Sequence, residues 1–191
     1  MANNRVIAVM DGDLTAARAV QEAAEKLGVA VVNESIGNPT SISGAELIAK
    51  IKEFSSQTVV VMFDDQGETG LGLGEEAFLT ILSDDDIEVI GVLAVASNLK
   101  SVQGIEADFS ITQDQTIINE PVDKKGKAEE PGHKIVEGDT VDVLNAVADT
   151  LIIGIGDLGK MDDKDLVDQG APVTTKAIAE ILQRSGQDGN Q

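Results

Sequence analysis

The stretch Thr58-Val-Val-Val-Met-Phe-Asp-Asp-Gln-Gly-Glu-Thr-Gly-Leu-Gly-Leu-Gly-Glu-Glu76 decides how the rest of the chain reads. Its apolar run, residues 59–63, is rich in β-branched valine and shows no polar alternation, the pattern of a strand buried on both faces of a parallel sheet. The run stops at Asp64 and Asp65, and Gly67, Gly70, Gly72 and Gly74 separate these acids from a helix expected over 75–82. In open α/β sheets, ligands bind outside the carboxyl ends of the strands. A carboxylate pair beside a glycine loop at that edge is therefore a candidate binding feature.

Working outward, residues 5–10 form a first buried strand that ends in Asp11-Gly-Asp13. Over 14–27, apolar and alanine positions 16, 17, 20, 23, 24 and 27 recur at helical spacing. Gly28 is placed to end that helix in a left-handed turn. Residues 30–32 read as a short second strand. Ser43 and Glu46 have the spacing of a capping box for a helix to about residue 54. A fourth strand, 88–95, ends at Ala96-Ser97-Asn98. Alternating strands and helices predict a parallel sheet with right-handed crossovers.

The alternation breaks over 100–134, where 109–112 and 116–119 read as a small hairpin beyond the sheet and 123–130 as a polar, flexible segment. It resumes with Asp139 as N-cap of a helix to about 149, a fifth buried strand over 151–155, and a short helix over 163–169. Thr174 is read as the cap of a last helix ending near 184, and 185–191 as a disordered tail. The expected fold is one α/β domain over 1–184. It is a three-layer sandwich around a mostly parallel, five-stranded, flavodoxin- or Rossmann-like sheet, with an irregular β-hairpin insertion at 100–134.

The chain has 191 residues, enough to bury roughly 70% of its unfolded surface without staples. It has no cysteine, which excludes disulfides and thiolate metal sites. Its only aromatic residues are four phenylalanines, so base stacking is poorly provided for. A net charge of −20 opposes nucleic acid and anionic lipid and favours cations or basic partners, though solubility alone also accounts for it. No apolar run approaches the roughly 20 residues needed to cross a bilayer, and no signal-peptide pattern precedes the first strand. The expectation is a soluble chain that meets a membrane only through a partner.

The strand ends carry the candidate chemistry. Asp11, Asp13, Asp64 and Asp65 are candidate ligands for a hard cation, magnesium or calcium, because carboxylates sharing a pocket repel and must take up protons or a metal. Gly67, Gly70, Gly72 and Gly74, with Ser97, Asp157 and Lys160, form a candidate ligand-binding set. The same aspartates also suit a purely structural role, since Asp-Gly-Asp and Asp-Asp-x-Gly are common turn and cap sequences. The glycine loop is no Walker motif, lacking a terminal Gly-Lys-Ser/Thr. The layout resembles the acidic pocket of phospho-accepting receiver domains, with acids after strands one and three, a hydroxyl after strand four and a lysine after strand five. His133, the only histidine, lies in the insertion, and no Ser/His/Asp constellation can be assembled.

Over nearly its whole length the sequence resembles the stage V sporulation protein AE family. The resemblance rests on Arg5-Val-Ile-Ala-Val-Met-Asp-Gly-Asp13, Gly37-Asn-Pro-Thr40, Val61-Met-Phe-Asp-Asp65 with Gly72-Leu-Gly-Glu75, and Val92-Leu-Ala-Val-Ala-Ser97. Near the C-terminus Gly154-Ile-Gly-Asp-Leu-Gly-Lys-Met161 and Gly170-Ala-Pro-Val-Thr-Thr-Lys-Ala177 complete it. One departure is Asp162-Asp163, where the family pattern leads one to expect a glycine after Lys-Met. The resemblance implies a non-enzymatic spore protein, soluble or peripherally attached to the spore inner membrane. It would work with membrane-embedded proteins that load calcium dipicolinate during sporulation or release it during germination. No catalytic or binding residues are carried over from the family. Two further readings stand beside it: a metal-dependent enzyme or receiver-like switch using Asp11, Asp13, Asp64 and Lys160, and a module in which the Gly67 to Gly74 loop and the start of its helix hold a dicarboxylate through a bridging metal.

Overall fold

The computed structural model describes residues 4–55, 57–67, 71–97, 104–138, 140–147 and 149–187. Among the described residues seven strands form one sheet: β1 (Asn4–Val9), β2 (Ala30–Val31), β3 (Thr58–Met62), β4 (Ile87–Val95), β5 (Phe109–Ile111), β6 (Ile117–Ile118) and β7 (Ile152–Ile155). Their spatial order is β2-β3-β1-β4-β7-β5-β6. All neighbouring pairs are parallel except β5 and β6. The α/β class and the mostly parallel sheet are as the sequence predicts, with seven strands in place of five. The expected adjacency of the first and third strands holds, with Ile7 opposite Val60. The other neighbour of β1 is β4 rather than β2, so the order differs from that of flavodoxin, in which the first strand separates the second from the third.

Each central strand is apolar on both sides because both faces are covered. On one face Ile7, Val9, Val60, Met62, Leu93 and Ile153 pack against helices α1 (Leu14–Leu27) and α4 (Pro172–Gln187). On the other, Val6, Ala8, Val59, Val61 and Val92 meet α2 (Gly44–Lys52) and α3 (Leu73–Leu82), where Phe63 and Phe78 stack edge-on at 5.3 Å. With so few aromatic rings, aliphatic burial at about 25 cal/mol per Å² supplies most of the driving force. Local signals set the helix ends: Gly28 takes φ 69° after α1, and the Ser43–Glu46 capping box opens α2.

The second half departs from expectation in six ways. The hairpin of β5 and β6 is no excursion, because Phe109 pairs with Ile153 and extends the main sheet. The helix expected over 139–149 is a short 3-10 turn, Asp142–Ala146, whose Val143 and Leu144 bury against the second face. Asp139, its expected cap, lies outside the described residues. The helix expected over 163–169 is instead a series of turns ending in the 3-10 segment Val167–Gln169. In those turns Met161, Asp162 and Asp163 all have positive φ, the conformation glycine tolerates best, which gives the expected family glycine a physical reason.

Thr174 is not the cap of α4. Buried Asp165 takes that role, accepting hydrogen bonds from the Val173 and Thr174 amides at 2.8 and 3.0 Å and from the Thr174 hydroxyl at 2.6 Å. Finally, the segment read as flexible is ordered as a strap over residues 121–128. Asp123 Oδ1 accepts from the Lys125 and Lys127 amides, and the Asp157 amide donates to Lys124 O at 2.8 Å. Part of the predicted tail is helical, since α4 reaches Gln187; residues 188–191 lie outside the described region.

Candidate functional site

The carboxyl ends of β1, β3, β4 and β7 open into one recess of about 170 Å³, lined among others by Asp11, Asp13, Asp64, Ser97, Lys124, Thr140, Asp157 and Lys160. Parallel alignment puts these ends at the same edge, which is why acids far apart in sequence meet. Carboxylate oxygens of Asp11, Asp13 and Asp157 lie within 4.8 Å of one another. Lys160 Nζ donates to Asp13 Oδ2 at 3.0 Å and to Asp157 Oδ1 at 3.1 Å. From the strap, Lys124 Nζ stands 3.5 Å from Asp157 Oδ2. No ion pair is formed by Asp11 among the described residues; its Oδ1 accepts from the Asp13 amide at 3.1 Å.

The carboxylates differ in their electrostatics. Burial, with the charges of Asp13, Asp64 and Asp157 around it, pushes Asp11 up to about 7. Burial also raises Asp64, against the lowering effect of the Gln66 and Gly12 amides. For Asp13, burial works upward but is outweighed by the Ala16 amide, the Lys160 ammonium and the Thr15 amide, so its carboxyl is held low. Lys160 is raised, because Asp13 and Asp157 outweigh the effect of its burial. Asp11 is therefore the acid that shares a proton near neutrality, and a divalent cation is the natural replacement for that proton.

All four candidate ligands also accept from backbone amides, Asp13 Oδ1 capping α1 through the Thr15 and Ala16 amides at 2.7 and 2.8 Å. Asp64 Oδ2 accepts from the Gly12 amide at 2.9 Å and Oδ1 from the Gln66 amide at 2.8 Å, which ties β3 to the turn after β1. Asp65 does not line the recess; its oxygens accept from the Gly74 and Glu75 amides at 2.6 and 3.1 Å and cap α3. The glycine loop serves the same packing. A side chain at Gly72 would strike the Asp65 carboxylate, and one at Gly74 would come within 2.7 Å of Asp64 O. Gly67, Gly72 and Gly74 stand away from the recess lining, and Gly70 lies outside the described residues. Ser97, Asp157 and Lys160 are brought to it.

Sequence reasoning missed Asn38, Lys124 and Thr140. Asn38 sits in the loop after β2, Lys124 in a segment read as flexible, and Thr140 in a stretch read as helix. Thr140 is 1% exposed, and its hydroxyl, like that of Ser97, has no hydrogen-bond partner among the described residues.

These features define a class: an α/β protein with a charged recess at the carboxyl edge of its parallel strands. The chain belongs to the stage V sporulation protein AE family, whose AE1 family model matches residues 5–185. The protein therefore has a sporulation-related role. No curated protein and no solved structure matches the chain. Among the described residues no helix is long and apolar enough to cross a membrane.

Proposed function

We propose that the protein is a non-enzymatic accessory component of the spore machinery that takes up calcium dipicolinate during sporulation or releases it during germination. In this reading it is held at the spore inner membrane by membrane-embedded proteins of the dipicolinate channel. The observation that carries the reading is the convergence of Asp11, Asp13 and Asp157 on an open rim, a set of oxygen donors suited to calcium. Family membership supports the setting, and the charge of −20 favours meeting a cation or a basic partner surface. His133, the single histidine, lies by Glu137 and not in the recess lining, so no Ser/His/Asp set is assembled there, which argues against nucleophilic catalysis of that kind.

A second reading, a metal-dependent enzyme or phospho-accepting switch, draws on the meeting of Asp11, Asp13, Asp64, Ser97 and Lys160 in one recess. It needs a free carboxylate after β3, but Asp64 already accepts two backbone amides and Lys160 pairs elsewhere. Two experiments test the preferred reading. Affinity capture from spore membranes with the tagged full chain is expected to recover dipicolinate-channel proteins, and recovery of none sinks the docking role. Calorimetry with calcium is expected to show binding that is lost in Asp157→Asn. No uptake at millimolar calcium removes the recess from the account.

A further inference from the structure

The recess contains more than acids. Lys160 and Lys124 stand on the same carboxylates, Asp13 and Asp157, that a cation would occupy. A bare dication seated on Asp11, Asp13 and Asp157 would face two ammonium groups whose counter-charges it had taken over. Like charges at such distances repel strongly where water is partly excluded. The conflict disappears if the cation arrives with an anion that the released lysines then bind.

A second and independent feature points the same way. The Thr140 hydroxyl lines the recess, is almost completely buried and lacks any partner among the described residues, and the Ser97 hydroxyl, which also lines it, is unpartnered too. Buried hydroxyls without partners are costly and uncommon, and an oxyanion in the recess would satisfy both. At about 170 Å³ the space is smaller than the roughly 300–1,000 Å³ of drug-sized sites, so the ligand is small.

We propose that the recess binds a divalent cation together with a small carboxylate coordinated to it. Asp11, Asp13 and Asp157 hold the cation, and Lys124, Lys160, Ser97 and Thr140 hold the carboxylate. The inference deepens the function proposed above and rests on its cation-binding recess. It makes the strap over residues 121–128, through Lys124, half of the site.

The test is a calorimetric titration of the full chain with calcium alone, dipicolinate alone, the two together, and magnesium with inorganic phosphate. The expected result is that dipicolinate binds at least about tenfold more tightly with calcium present, a coupling of about 1.4 kcal/mol. In Lys124→Met that coupling falls to near onefold while calcium alone binds as well as before or better, because a repelling charge is gone. Thr140→Val, which replaces the unpartnered hydroxyl with a methyl group, is expected to keep the fold and weaken the joint complex. If calcium binds alone, dipicolinate adds nothing and Lys124→Met changes nothing, the chelate is refuted and the cation-binding recess stands. If phosphate couples as well as dipicolinate, the carboxylate class is refuted. If neither ion binds in any arm, both this inference and the recess of the proposed function fall.

Discussion

Replacing Asp11 by asparagine isolates the electrostatic cost of the recess. In the folded chain its carboxyl is pushed from 3.8 to about 7 by burial and by the neighbouring acids. Below the unfolded value both states hold the proton. Between the two values the unfolded chain has lost it and the fold keeps it, so stability falls as pH rises, by about 1.4 kcal/mol per pH unit. Above about 7 the loss is complete. The interval gives an upper value of about 4 kcal/mol, which counter-ions at an open rim reduce to about 2–4 kcal/mol. The amide oxygen of the new side chain would still accept from the Asp13 amide, so the variant removes the charge and keeps the turn. Asp11→Asn is therefore expected to match the natural protein at pH 4 and to exceed it by about 2–4 kcal/mol at pH 8. Urea unfolding followed by far-UV circular dichroism measures this, since the chain has neither tryptophan nor tyrosine to report by fluorescence. An equal effect of the substitution at both pH values would refute the reasoning.

Other substitutions probe the supports of the site. Asp165→Ala removes a buried carboxylate that accepts from the Gly159, Val173 and Thr174 amides and the Thr174 hydroxyl, and should cost about 3 kcal/mol or more in urea unfolding. A loss under about 1 kcal/mol would show that the cap is dispensable. Gly156→Ala places a methyl group 2.6 Å from the Gly126 nitrogen and 2.9 Å from Lys124 O, so the strap must shift; trypsin is expected to cut it about tenfold faster, and unchanged cleavage would contradict the packing. Ser43→Ala breaks the capping box of α2 and should cost about 1 kcal/mol, read from the same unfolding curves.

What can be read from the sequence divides along a physical line. β1, β3, β4 and β7 are legible because strands covered on both faces must be continuously apolar, and α1 and α2 because their caps are local: Asp13, Gly28, Ser43 with Glu46. The gathering of Asp11, Asp13, Asp64, Ser97, Asp157 and Lys160 follows from placing every strand end at one edge. The rest depends on contacts distant in sequence. Asp165 caps a helix from eight residues upstream of Val173, and Asp65 caps α3 across nine, so neither carries a local signature. Residues 141, 143, 144 and 147 imitate a helical period. Yet a side chain at Gly138 would collide with Val95 O, so the chain passes close over the end of β4 just before this stretch, and a 3-10 turn, Asp142–Ala146, buries Val143 and Leu144 there. The strap reads as merely polar, whereas its Asp123 and its left-handed Gly126 are turn chemistry that a sheet edge can hold in place.

Each outer strand of the sheet, Ala30–Val31 on one side and Ile117–Ile118 on the other, is only two residues long. Rows this short leave few unpaired amide and carbonyl groups, too few to template the addition of a strand from another molecule. The sheet thus offers another molecule little edge to extend.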